Sequence, residues 1–311
     1  MRLVYMGTPD FAVPSLKELI KAGYEILGVV SQPDRPRGRG KKLQPPPVKV
    51  TAIEAGLSVL QPVNIKDTDF LSTMASWQPD VIVVVAFGRI LPQEILNLPK
   101  LGCINLHASL LPKYRGAAPI HRAIMNGEKV TGNSTMWISQ QLDAGDIILQ
   151  EELPIESDAT TGEIHDQLAV MGAKLLTKTL DLLKKGKAPR QVQDESKVTY
   201  ALPIKPEEER INWEQPVEVI YNQIRGLNPW PGSHTLRSGK RLKIYRSRIL
   251  DKDKTGLAGQ VVNVTKEGFV VQTGCGQLLI TEVQPPGKKI MSASDYLRGY
   301  PVNIGEVLGC V

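Results

Sequence analysis

Seven consecutive apolar residues, "VIVVVAF" at 81–87, constrain this chain more than any other stretch. A strand with one wet face alternates apolar and polar residues. This run is apolar on both faces, as a central strand of a parallel sheet must be when helices cover each side. It is far short of the ~20 residues that cross a bilayer. The surrounding segments keep the matching rhythm: "RLVYMG", "YEILGVVSQ", "LSVLQP" and "CINLHA" read as strands, with "FAVPSLKELIKAG" and "VKVTAIEAG" as helices between the first three. "GNSTMWIS" and "GDIILQEELPI" add two strands joined by a turn at "QQLDAG", and a long helix from Thr161 to Lys185 follows. The expected fold class is α/β, a doubly wound, mostly parallel sheet, with ligands beyond the carboxyl ends of its strands.

Past that helix the character changes. Residues 190–208 are polar, carry prolines and lack periodicity, so they read as a connection between a domain at 1–189 and another at 209–311. The latter holds short β-like runs such as "RLKIYRSRIL" and "GFVVQTGCGQLLITEVQP", which suggest a small barrel or sandwich. The net charge of +6 sits unevenly, with 13 Lys and Arg against 8 Asp and Glu from Ile211 onward. No acidic residue occurs between Val219 and Leu250, where Arg225, Arg237, Lys240, Arg241, Lys243, Arg246 and Arg248 all fall. Such a module suits a polyanionic partner, nucleic acid first, although a solvated basic strand face would look the same. A second basic stretch, residues 31–50, breaks the β-α-β rhythm with five prolines and six Lys or Arg, and reads as a functional loop.

Several function classes drop out. "GTPDFA" after the first strand lacks the GxGxxG fingerprint and no GxxxxGK occurs, which disfavours nicotinamide enzymes and nucleotide triphosphatases. Three scattered cysteines and four unpaired histidines give no zinc or disulfide framework. The first segment reads as a core strand and not a signal peptide, so the expected compartment is the cytoplasm, without membrane attachment.

What remains is the end of the "CINLHA" strand. Side chains alternate along a strand, so Cys103, Asn105 and His107 share a face. An asparagine amide can donate to an oxygen gaining negative charge, and a histidine can move a proton near neutral pH. "QLDAGD" supplies Asp143 and Asp146 at a turn, where a carboxylate can orient and charge a histidine. Asn, His and Asp suit acyl transfer without a covalent enzyme intermediate; a histidine capping a strand for structural reasons would show the same spacing. Ser109 lacks a GxSxG context, Cys103 reads as a small buried thiol, and His165 and His234 read as surface residues.

"NLHASLLPKYRGAAPI" followed by "LDAGD" resembles the 10-formyltetrahydrofolate-dependent formyltransferases. "GTPDFAVPSL", "QPDRPRGRGKKL", "NPWPGSHT" and "QPPGKKIMSASDYLRG" extend the resemblance over nearly the whole chain, towards members that formylate methionyl initiator tRNA. The resemblance implies a Rossmann-like catalytic domain, an OB-like second domain, and a monomer using 10-formyltetrahydrofolate as co-substrate without a metal. It implies Asn105, His107 and Asp143 as the catalytic set, and folate contacts from Ser109, Leu110, Leu111 and Pro112. Phe87, Ile90 and Leu91 would wall the pterin pocket. It also implies tRNA contacts from Arg39, Lys41 and Lys42 in the basic loop and from Arg241 and Lys243 in the second domain. The rival within this group is formyl transfer to a sugar nucleotide or other small amine, which would need neither basic feature.

Overall fold

The computed structural model describes residues 1–37, 40, 42–250 and 255–309. In chain order, β1 (Arg2–Gly7), α1 (Val13–Lys21) and β2 (Glu25–Val30) lead to a small antiparallel ladder of β3 (Arg35–Arg37) and β4 (Lys42–Gln44). Then come α2 (Pro47–Glu54), β5 (Val59–Leu60), α3 (Thr68–Ser76), β6 (Val81–Val85), α4 (Gln93–Leu96) and β7 (Cys103–His107). They are followed by β8 (Arg115–Gly116), α5 (Pro119–Met125), β9 (Val130–Trp137), β10 (Ile147–Pro154), α6 (Thr161–Lys184) and β11 (Tyr200–Ala201). The chain divides into two compact units: residues 1–119, 130–154 and 165–201 form one, and 120–129, 155–164 and 202–311 the other.

The first unit is built on a seven-stranded sheet in the order β10-β9-β7-β6-β1-β2-β5. β5, β2, β1, β6 and β7 run parallel, β9 is antiparallel to β7, and β10 is antiparallel to β9. All five residues of β6 are buried, which is the reason its sequence is apolar on both faces. On one face Val4, Met6, Val30, Ile82, Val84 and Cys103 pack against Phe70 and Met74 of α3 and Ile95 of α4. α3 starts at Asp67, whose carboxylate accepts the backbone N–H groups of Asp69 and Phe70 and so satisfies two donors left open by the first turn. The chain leaves β1 towards β2 and β5 on one side and returns at β6 and β7 on the other. The strand order therefore reverses between β1 and β6, and a ligand crevice belongs beyond the carboxyl ends there.

The second unit adds α7 (Val217–Gly226), β12 (Ser233–Arg237), β13 (Lys240–Leu250), β14 (Val261–Val264), β15 (Phe269–Gln272), β16 (Gln277–Gln284), β17 (Met291–Ser292) and α8 (Ala293–Gly299). Its strands are antiparallel in the order β12-β13-β16-β15-β14, with β17 on β16. The tail reaches both edges: Leu308 donates to the carbonyl of Gly259 just before β14, and Gly309 donates to that of Leu236 in β12. Backbone groups that a free edge would expose are thereby partly satisfied, as in barrel-like sheets. Phe269, Val271, Leu278 and Ile280 fill the core with Ile220 and Ile224 of α7 and Trp213.

Candidate active site

β7 lies between β6 and β9, with Asn105 opposite Val84 on one side and Met136 on the other, and His107 opposite Ser134. Cys103, at the inner end of the same face, is closed over by the core, and burial pushes its thiol up to about 12. Asn105 is only partly buried, and its amide makes no hydrogen bond to another described residue. Asn105 is not among the buried polar atoms left without a partner, so its amide is open to solvent or to a ligand at the outer end of β7.

His107 is 7% exposed, and its Nε2 lies 2.9 Å from the carbonyl oxygen of Tyr114. A carbonyl only accepts, so Nε2 carries hydrogen and Nδ1 is the nitrogen free to gain or lose a proton. Nδ1 faces Oδ2 of Asp143 at 3.7 Å, beyond hydrogen-bond reach but close enough for the carboxylate to steady positive charge on the ring. Oδ2 accepts the backbone N–H of Gly116 at 2.8 Å, and Oδ1 has no hydrogen bond to another described residue. The loop after β7 thus touches both groups, the ring through Tyr114 and the carboxylate through Gly116.

That loop is held from outside. Tyr114 and Arg115 donate their backbone N–H groups to the hydroxyl and the carbonyl of Thr199, and β8 pairs with β11. Gly116 has φ +121°, and a Cβ there would lie 2.8 Å from the carbonyl oxygen of Ala201, so only glycine lets the two backbones meet. Residues 190–201, read from composition as connection, are therefore part of the site's scaffold. Gln193 and Arg115, 5% and 2% exposed, are joined there by side-chain hydrogen bonds. Arg115 lies within "NLHASLLPKYRGAAPI" without a role assigned to it there, and Gln193 lies in no motif.

The other anticipated positions fall as follows. Ser109 is buried, donating its hydroxyl to the carbonyl of Lys113 and accepting at its own carbonyl from Ser134. Leu111 packs with Met136 and Ile147, while Leu110 and Pro112 are partly exposed. The loop after β6 turns sharply at Ala86 (φ +46°) and Gly88 (φ +82°). That turn sends Phe87 and Leu91 into the core with Val4 and Ile82, and leaves Ile90 exposed. Hydrogen bonds from Thr8 and Gln32 to the carbonyl of Phe87 fix the turn across the switch point. Asp146, the second turn carboxylate, faces Arg190 and not His107.

Comparison with known proteins gives these groups a family. A family model described as "Formyl transferase" matches residues 1–180, and one described as "Formyl transferase, C-terminal domain" matches residues 203–301. The chain belongs to the formyl transferase family. It is 68% identical to methionyl-tRNA formyltransferase of Moorella thermoacetica over all of both chains. It is 50% identical to that of Bacillus subtilis, over 99% of this chain and 98% of the relative. Among solved structures, HypX from Aquifex aeolicus in complex with tetrahydrofolic acid superposes with a TM-score of 0.68 at 18% identity, over 98% of this chain and 48% of HypX, a likeness of fold.

In this formyl transferase the candidate cations differ in availability. Arg39 and Lys41 lie outside the described residues. Lys42 is exposed on β4. Arg241 is exposed on β13 without an ion pair among the described residues, whereas the Lys243 ammonium donates to the carbonyl of Pro231 at 2.6 Å. Arg246 and Arg248 are paired with Glu163 and Glu267. His234 is buried on β12 and not a surface residue, and burial followed by the charge of Arg241 pushes its pKa down. Among the described residues no group of His, Cys, Asp and Glu could hold a metal, and no helix is long and apolar enough to cross a membrane.

Proposed function

We propose that this protein transfers a formyl group from 10-formyltetrahydrofolate to the α-amino group of methionine on initiator tRNA. The observation that carries the reading is the outer end of β7. There the Asn105 amide, without a hydrogen bond to another described residue, shares a face with His107, and the His107 ring is flanked by the Asp143 carboxylate. Full-length identity to relatives named methionyl-tRNA formyltransferase supplies the acceptor. The folate would lie beyond β6 and β7, against the turn at Ala86–Gly88, the exposed Ile90 and the segment Ser109–Pro112. It supplies an activated formyl group on a nitrogen that can leave.

The protein's own groups then do three things. The Asn105 amide donates to the formyl oxygen as negative charge develops there. His107, with Nε2–H committed to Tyr114, takes up and releases a proton at Nδ1. Asp143 faces that nitrogen and steadies the ring while it is charged. A C–N bond forms to the methionyl nitrogen, the C–N bond to folate breaks, and one proton passes from the amine to the departing nitrogen.

For the tRNA, Lys42 and Arg241 are the exposed cations best placed to meet phosphates; Lys243, already committed to a carbonyl, contributes less. The reading implies a cytoplasmic monomer. It is tested by following labelled formyl from 10-formyltetrahydrofolate to methionyl initiator tRNA, methionyl elongator tRNA and a nucleotide-linked amino sugar in parallel. Transfer to the initiator alone supports it, and transfer to the amino sugar alone overturns it.

A further inference from the structure

We propose that Gln193 is a positioning residue for the reaction, holding Asp143 in the turn that presents its carboxylate to His107. The proposal rests on the formyl-transfer reading above.

Asp143 has φ +48°, in the left-handed region that a residue with a side chain keeps only when its surroundings enforce it. Gly145 runs so close to the end of β9 that a Cβ would stand 1.7 Å from the carbonyl oxygen of Trp137. A turn this tight leaves its carbonyls pointing inward, and Gln193 receives two of them. Its amide nitrogen donates to the carbonyls of Asp143 at 2.9 Å and Gly145 at 2.7 Å. Its amide oxygen accepts from Nε and Nη2 of Arg115 at 3.0 and 2.9 Å. Both donors and the acceptor of the carboxamide are thus used inside the protein, which fixes its orientation.

Arg115 in turn is set by position. Its backbone N–H is bonded to Thr199, its side chain also reaches Glu195 at 2.8 Å, and its neighbour Gly116 holds the Asp143 carboxylate. Asp143 is therefore gripped twice by the loop that follows β7, at the carboxylate by Gly116 and at the backbone by Arg115 acting through Gln193. Releasing the backbone grip frees the turn to rotate the carboxylate away from Nδ1. Misplacements of about 1 Å around a reacting centre can cost roughly 100-fold in rate.

The test uses the full-length protein with Gln193→Glu, which keeps the contact to Arg115 but presents oxygen to two carbonyls, and with Gln193→Ala, which adds no charge. We expect kcat to fall by about 10- to 100-fold with both KM values within about threefold of the parent, because the loss lies in the transition state. The decisive comparison places each change in an Asp143→Asn background. Acting through Asp143, Gln193 should add little further loss there, whereas a contact that only supports the fold should add its full effect. Full additivity, an unchanged kcat in the single variants, or turnover lost only in proportion to folded protein in both variants would each overturn the proposal. A parent protein that formylates a different amine would instead overturn the tRNA reading. The same comparison, run with that amine, would still decide the role of Gln193.

Discussion

Replacing Asn105 with alanine separates chemistry from stability more cleanly than any other change in this site. The backbone of Asn105 stays in its ladder between Val84 and Met136, and its amide has no hydrogen bond to another described residue. Among the described residues, folding therefore loses no hydrogen bond and leaves no partner orphaned. The expected cost is within about 1 kcal/mol, a shift of roughly 2–4 °C in melting temperature for a protein of this size class. If the amide meets the formyl oxygen only as charge builds on it, the transition state loses about 2.7–4 kcal/mol, or roughly 10²–10³ in turnover. Single-turnover transfer of labelled formyl to methionyl initiator tRNA measures the second quantity, and thermal unfolding the first. Asn105→Asp, which puts a like charge beside the developing one, should be at least as slow. A rate for Asn105→Ala within about threefold of the parent would refute the reasoning. So would a slow rate that follows a matching collapse in melting temperature.

Three other outcomes follow from the packing and charge around the site and the second unit. Cys103, buried and pushed up to about 12, should resist alkylation in the native protein at pH 8 while exposed Cys275 reacts, as peptide mapping after iodoacetamide would show. The hydrogen bond from Arg237 holds the Glu306 carboxyl below its usual range, so the pair stabilises the fold above the unfolded carboxyl range near ~4.3 and fades as pH falls through the lower folded value. Glu306→Gln should therefore cost about 1–2 kcal/mol at pH 7, with the gap to the parent closing in acid, read from urea unfolding at several pH values. Arg241→Ala should lower the salt slope of tRNA binding by about one and weaken binding evenly across tRNAs, while Lys243→Ala should change it less.

The sheet and the strand carrying the site were legible because burial on both faces of β6, and polar residues at the end of β7, leave direct marks in composition. That Asn105 and His107 share a face is legible because a strand's period of two puts them there. The burial of Phe87 and Leu91 in the core leaves no mark in the sequence, because backbone turns at Ala86 and Gly88 redirect the chain without changing its apolar character. Gln193 and Arg115 stand 78 positions apart, and Gln193 lies in a polar stretch whose burial comes from pairing with the loop after β7. No local period reports such a contact. The basic run 31–50 likewise contains a ladder, Arg35–Arg37 against Lys42–Gln44, that prolines and glycines obscure in sequence. α7 is obscured by the basic run that overlaps it, although its Ile220 and Ile224 are spaced to face one core.

The central claim is that this protein moves a formyl group to methionyl initiator tRNA with His107 carrying the proton. Its most direct test is labelled transfer from 10-formyltetrahydrofolate, with the parent and His107→Ala proteins measured side by side. The parent should transfer formyl rapidly, and the variant should lose roughly 10²–10⁴ in rate. No transfer to the tRNA by the parent, or equal rates in the two proteins, would contradict it.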